Sequence, residues 1–301
     1  MHRRQFIGGA AAVTAGLGFL RTAGGQICPA KTGTVRDKLW VFCNPVNADY
    51  GIVRGRSVMS PLESAVYLGV PNIIMANQYP RAGQEGWYRA WESPFELYAF
   101  PMKVLKRVAW SIVGASGVTK ESERKEVIAM AKKTPNFVGV FMDDFFEENG
   151  AKGSLTIDEL RSLQQQLKSP DKKLDLYVTL YTKALNRPIA DYLGVIDVIT
   201  LWTWETEDLA NLDANLAKLE KLAPKARIML GCYTAANDPK ATPAWTPLPV
   251  PAMKRQCDLG LRWLREGRIE GIIIYGNFMD LNWDSVEWAR EWVERVGETK
   301  L

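Results

Sequence analysis

Phe137-Val138-Gly139-Val140-Phe141-Met142-Asp143-Asp144-Phe145-Phe146-Glu147-Glu148 opens on six residues without a charge and then meets four carboxylates. So short and apolar a run suits a strand covered on both faces, with its acids at the carboxyl end. That edge of a parallel sheet is where α/β proteins keep their chemistry. The flanking sequence repeats the pattern. Apolar runs at 39–43, 72–76, 108–113, 137–142, 174–181, 195–201, 226–232 and 269–275 alternate with stretches of helical periodicity, for example 121–133, 156–167, 208–222, 252–266 and 283–296. Thr156-Ile157-Asp158-Glu159 and Asp284 before Ser285 read as helix starts. Eight such units over about 260 residues predict a single α/β domain, a closed (β/α)8 TIM barrel. A doubly wound sheet is the rival fold, but no glycine-rich phosphate loop follows the first strand.

The 301-residue chain is 47% hydrophobic and 24% charged, an ordinary globular composition. Its net charge of +4 is concentrated at the start, where Arg3, Arg4 and Arg21 lie in 25 residues that hold no acid. Taking these three from the 38 basic residues leaves 35 against 34 acids, so the body is near neutral. Neither nucleic acid nor an anionic membrane is an expected partner. Residues 1–25 resemble a twin-arginine export signal: paired arginines, Phe6 two residues later, a Gly/Ala-rich apolar run and Ala23-Gly24-Gly25. At about 14 residues the run is short of the roughly 20 that span a bilayer. The resemblance implies a signal segment at 1–25, a barrel domain at 26–301, passage through the twin-arginine (Tat) export machinery, and a periplasmic or secreted product with no membrane attachment after cleavage. The cysteines (Cys28, Cys43, Cys232, Cys257) show no CxxC spacing, and Gly25-Gln26-Ile27 before Cys28 does not match a lipoprotein box. Cys43 and Cys232, at strand ends, are expected to be buried free thiols.

Alternation along the strands indicates what faces the barrel mouth. Tyr177, Thr179 and Tyr181 share one phase, against Leu176, Val178 and Leu180 on the helix side. Gly139, Phe141 and Asp143 point inward by the same test, with Val138, Val140 and Met142 outward. Asn77 falls in phase with Ile73 and Met75, Asn277 with Ile273 and Tyr275, and Trp202 with Thr200. The mouth then gathers Asn44, Asn77, Ser111, Asp143, Tyr181, Trp202, Tyr233, Tyr275 and Asn277. Two long loops add to it: 77–94, with Trp87 and Trp91, and 235–251, with five prolines and Trp245. Trp204 and Glu147 complete the expected substrate-binding set. Of the 11 tryptophans, Trp263, Trp288 and Trp292 fall in late helices and read as packing. Amides, phenols and indoles around a carboxylate suit a carbohydrate, whose hydroxyls need donors and acceptors and whose ring faces stack on aromatics.

Glycoside cleavage usually uses two carboxyl groups, and the expected set is Asp143, Asp144 and Glu205, with Asp143 as nucleophile or base and Glu205 as acid. Glu205 closes Leu201-Trp202-Thr203-Trp204-Glu205 after the sixth strand, one residue out of phase with Trp202 and Trp204. Acids on strands four and six resemble the layout of α-galactosidase-type barrels, which implies a glycosidase; the likeness covers architecture and these two positions, with Glu205 where that type has Asp. A chitinase-type D-x-x-D-x-D-x-E run fails, because Phe145 and Phe146 stand where acids belong. His2 is the sole histidine, which excludes histidine-metal, Ser-His-Asp and histidine-shuttle chemistry from the barrel. No cofactor is expected, although Asp143 and Asp144 could hold Mg²⁺ or Ca²⁺ through oxygen. The function expected is an exported glycoside hydrolase acting on a carbohydrate or glycoside. A non-catalytic glycan-binding barrel and a Mg- or Ca-dependent carboxylate-site enzyme are the alternatives.

Overall fold

The computed structural model describes residues 33–44, 46, 58–76, 94–113, 120–146, 152–237, 245–277 and 279–301. The export segment, Cys28, Asn77, Trp87, Trp91 and Glu147 lie outside them. In chain order the strands are β1 (Leu39–Cys43), β2 (Asn72–Met75), β3 (Arg107–Ser111), β4 (Phe137–Met142), β5 (Asp175–Tyr181), β6 (Val198–Trp202), β7 (Arg227–Cys232), β8 (Ala235–Asn237), β9 (Trp245–Pro247) and β10 (Gly271–Tyr275). The helices are α1 (Pro61–Leu68), α2 (Glu96–Ala99), α3 (Glu121–Lys133), α4 (Ile157–Leu167), α5 (Ala190–Leu193), α6 (Leu212–Leu222), α7 (Val250–Glu266) and α8 (Asp284–Val296). Eight strands close in the order β1-β10-β7-β6-β5-β4-β3-β2, and each neighbouring pair is parallel. The fold is a (β/α)8 barrel, and it places every β-to-α loop at one rim.

Two apolar layers hold it together. Inside the barrel, Trp40, Phe42, Ile74, Ala109, Phe141, Tyr177, Trp202, Met229 and Ile273 pack on one another. Between barrel and helices lie the alternate residues, such as Val41, Trp110, Val140, Leu176, Val178, Leu180 and Leu230, against Leu160, Leu216, Met253 and Val286. Removing one such buried leucine side chain costs about 2–5 kcal/mol. Thr156 caps α4 as its sequence predicts: its hydroxyl accepts from Glu159 N at 3.3 Å, and Glu159 Oε2 accepts from Thr156 N at 2.8 Å. At α8 the cap position is instead Trp283, which makes no side-chain cap.

Two phase expectations need correction. Ile73 and Met75 belong to the helix-side layer, while Ile74 and Ala76 face inward. Asn-Ile-Ile-Met is apolar on both faces, so its alternation carries no phase. Asn72 decides it: its Nδ2 donates to Asp37 O at 3.1 Å and Leu39 O at 2.7 Å. Val138 also faces inward. The register slips between Val108↔Phe137 and Ala109↔Gly139, a bulge that turns two successive residues to the same side. From Val140 onward the expected phase of β4 holds. Cys43, Cys232 and Cys257 are buried free thiols, and no helix among the described residues is long and apolar enough to cross a membrane.

Candidate functional site

The inward phase of β4 and β5 carries Asp143 and Tyr181 to the rim at the strands' carboxyl ends. Thr179 Oγ1 donates to Asp143 Oδ1 at 2.9 Å, and Asp144 N donates to the same oxygen at 3.0 Å. Tyr181 Oη donates to Asp144 Oδ1 at 2.7 Å. Asp144 takes φ 45°, in the left-handed region. Aspartate visits it more readily than most residues, and such strain gathers at functional sites. The next two residues hold the pair in place. Phe145 and Phe146 meet edge to face at 5.0 Å, and both rings lie 5.7 Å from Tyr192 of α5. Ser154 N donates to Phe145 O at 2.8 Å, and Gly153 is bare because a Cβ there would stand 2.3 Å from the Phe145 ring. The two phenylalanines thus anchor the turn that presents the acids.

Around the acids lies a cavity of about 140 Å³, lined by Phe42, Asp143, Asp144, Thr179, Tyr181, Trp202, Trp204, Tyr233, Trp245, Tyr275 and Asn277. The walls are aromatic and mutually braced. Trp204 stands edge-on to Tyr181 at 5.7 Å, Tyr233 at 5.6 Å and Trp245 at 5.2 Å. Tyr275 stacks on Phe42 at 5.6 Å and on Trp245 at 6.4 Å. Trp202 lies over Gly231, where a Cβ would sit 2.0 Å from its ring, and its Nε1 donates to Thr200 Oγ1 at 3.0 Å. Trp245 arrives on the antiparallel β8–β9 hairpin, paired with Asn237. Gln256 of α7 holds Tyr233 by its backbone: its Oε1 accepts from Tyr233 N and its Nε2 donates to Tyr233 O, both at 3.1 Å. Asn277 Nδ2 donates to Tyr275 Oη at 2.6 Å, while Asn277 Oδ1 is buried without a partner.

The electrostatics single out Asp143. The residue is half-buried by exposed area yet densely surrounded by protein. Burial first, and then the Asp144 carboxylate, push its pKa up to about 8, against the opposing pull of Thr179 and the Asp144 amide. Burial also raises the Tyr181 and Tyr233 phenols well above their ordinary range, aided by Asp144 at Tyr181 and by Tyr275 and Asp143 at Tyr233. Both stay protonated donors.

The structure brings together Asp143, Asp144, Tyr181, Trp202, Trp204, Tyr233, Trp245, Tyr275 and Asn277. It does not bring Glu205 to them. β6 ends at Trp202, Trp204 takes the wall position, and Glu205 is exposed where the chain enters the 3-10 turn Thr206–Asn211. Ser111 turns back on its own loop, donating to Val113 O at 2.6 Å. Asn44 is buried, with an unpartnered Oδ1, and lies outside the lining. Phe42 and Thr179 line the cavity although the sequence did not single them out; sharing the inward phase with Asn44 and Tyr181 was the available signal. Among the described residues no three Asp, Glu, His or Cys side chains converge. For a hard cation the oxygen set here is short: two carboxylates already receiving hydroxyl donors, one amide oxygen, and aromatic rings.

No protein-family model matches the sequence, and no curated protein matches it. Solved structures do. A protein from Bacteroides thetaiotaomicron assigned as an alpha-L-fucosidase is similar over 93% of this chain and 100% of its own, with a TM-score of 0.55 and 14% identity. A xylanase-A-amylase inhibitor protein matches over 87% of this chain and 98% of its own, at TM-score 0.52 and 12% identity. The active domain of a thermostable chitinase from Pyrococcus furiosus, solved with chito-oligosaccharides, matches over 79% of this chain and 83% of its own, at TM-score 0.51 and 15% identity. At identities this low the likeness is one of fold.

Proposed function

We propose that the chain is an exported glycoside hydrolase whose working acids are Asp143 and Asp144. The observation that carries this reading is a carboxylic acid held protonated near neutral pH beside a second carboxylate, at the floor of an aromatic cavity on the barrel's β-to-α rim. A group in that state suits a general acid better than a nucleophile, so Asp143 takes the protonating role first expected of Glu205. Trp202, Trp204, Tyr233, Trp245, Tyr275 and Asn277 supply ring faces and hydrogen-bonding groups for a sugar. Residues 1–25 act as a cleaved twin-arginine signal, giving a periplasmic or secreted enzyme.

The test is hydrolysis of chromogenic glycosides by the purified protein, with Asp143→Asn and Asp144→Asn alongside. Loss of at least about 10²-fold in kcat from each folded variant supports the reading, and unchanged turnover removes the assignment. A second reading, a glycan-binding barrel without turnover, is favoured by the absence of Glu205 from the cavity. It predicts glycan affinity in the unmodified chain with no cleavage of any glycoside.

A further inference from the structure

Two buried amides at the barrel mouth hold an oxygen without a partner. Asn277 is 8% exposed and Asn44 9%, and the Oδ1 of each is buried with no hydrogen bond. Buried polar groups are nearly always paired within a protein, so two exceptions in one place point to a ligand. The backbone sets the two side by side. The β1–β10 ladder matches Phe42 with Tyr275. Beyond it Gly276 N donates to Phe42 O at 2.7 Å, and a Cβ on Gly276 would stand 2.6 Å from that oxygen. A bare glycine thus keeps the strand ends together, and two residues past the matched pair Asn44 and Asn277 share the inward phase on strands about 4.8 Å apart.

Asn277 lines the cavity, and its Nδ2 donates to Tyr275 Oη at 2.6 Å, which fixes the amide plane and leaves Oδ1 to a ligand. Asn44, just outside the lining, stands next to it. In the closed strand order β10 lies directly across from β4, and β1 across from β5. The amide pair is therefore at the opposite pole of the mouth from Asp143, Asp144 and Tyr181.

Resting on the hydrolase reading, we infer that Asn44 and Asn277 accept hydrogen bonds from two free hydroxyls on the sugar edge remote from the cleaved bond, so that the site takes an unsubstituted terminal unit and the hydrolase is exo-acting. With C1 held at the acids, the opposite ring carbon is C4. Asn277, facing β4, takes the C4 hydroxyl, and Asn44 takes a hydroxyl beside it. A free hydroxyl has a proton for each oxygen. A glycosidic oxygen has none, so a sugar extended at C4 would leave Asn277 Oδ1 buried and unpaired. The cavity, about 140 Å³, suits a single ring and is well under the roughly 300–1,000 Å³ of drug-sized sites.

The experiment screens 4-nitrophenyl hexopyranosides in both anomers, then compares the best substrate with its 3-deoxy, 4-deoxy, 6-deoxy and 4-O-methyl forms. Binding of the matching methyl glycosides is followed by quenching of tryptophan fluorescence, since Trp202, Trp204 and Trp245 line the cavity. Expected is a loss of at least about 10²-fold in kcat/KM on the 4-deoxy and 4-O-methyl forms, because a site built for a hydroxyl rejects the analogue that lacks its proton. Asn277→Ala should erase that penalty. Asn44→Ala should erase the penalty of the 3-deoxy or 6-deoxy form and leave the 4-deoxy penalty in place. A role in packing alone would slow every substrate alike. Asn44→Ala removes an amide oxygen already unpaired, so its thermal midpoint should not fall. Cleavage indifferent to the C4 changes, or penalties that persist in both alanine variants, would overturn the inference and leave the hydrolase reading standing. Binding with the same hydroxyl dependence but no cleavage would keep the amide pair as the reader of a terminal sugar and end the hydrolase reading. Neither cleavage nor binding of any hexoside would end both.

Discussion

At Asp143 the same physics sets activity and stability. Its folded pKa, about 8, lies above the ordinary carboxylate value because burial and Asp144 disfavour the charged form. Between these values the native state binds more protons than the unfolded one, so stability falls as pH rises through the window and levels off above pH 8. Asp143→Asn removes that penalty. Thermal unfolding at pH 9 should show the variant more stable by at least about 1 kcal/mol, with little difference at pH 4. The kcat profile of the unmodified protein should decline on its alkaline side as Asp143 loses its proton. Tyr181→Phe removes the donor to Asp144 and should lower kcat/KM by about 10–100-fold with the fold intact, the worth of one hydrogen bond to a charged group. Asp143 was legible because strand alternation persists to the end of β4. Glu205 was misplaced because its aim depends on backbone beyond the last residue of β6, where alternation no longer applies.

Elements position the walls. Gln256 reaches from α7 to hold Tyr233 in the gap between β7 and the β8–β9 hairpin. It is 1% exposed, and Gln256→Leu would leave a buried N–H and C=O of Tyr233 unpaired. Denaturant titration should show a loss of about 2–4 kcal/mol, with weakened ligand affinity as Tyr233 shifts. Conventional helix periodicity marks residue 256 as inward-facing but not as a backbone clamp, so this role was invisible in the sequence. Whole strands were readable wherever β-branched and aromatic residues ran between turn signals, as in β4 and β5. The phase of β2 was not, for lack of a polar face, nor was the bulge at Val138, which depends on pairing with β3. The hairpin carrying Trp245 hid in a proline-rich loop, because its three-residue strands are held by residues far off in sequence: Ala235 and Trp245 pack with Tyr275, Leu281 and Trp283, and the hairpin is tied to Thr234. Thr234 O accepts from Leu248 N at 3.1 Å and Ser285 Oγ at 2.6 Å.

Over the whole molecule the two ends of the barrel treat charge in opposite ways. At the amino ends of the strands acids are matched with cations: Arg227 bridges Asp175 at 2.6 Å and Glu270 at 3.0 Å, while Lys168 bridges Asp175 at 3.3 Å and Asp197 at 2.8 Å. At the carboxyl ends Asp143 receives the Thr179 hydroxyl and the Asp144 amide, and Asp144 receives the Tyr181 phenol. The lower acids are tied into ion pairs, whereas burial and the neighbouring Asp144 hold the Asp143 pKa up at about 8, so that Asp143 keeps a proton near neutral pH. The two ends should therefore separate under mutation. Arg227→Ala, at a half-exposed site, should cost about 1 kcal/mol of stability, less at high salt, and leave kcat unchanged. Asp144→Asn should do the reverse, keeping the thermal midpoint within a few degrees while removing turnover. Parallel melts and initial rates on the two variants check this; a large rate loss from Arg227→Ala would mean that the barrel's lower end also tunes the acids at its mouth.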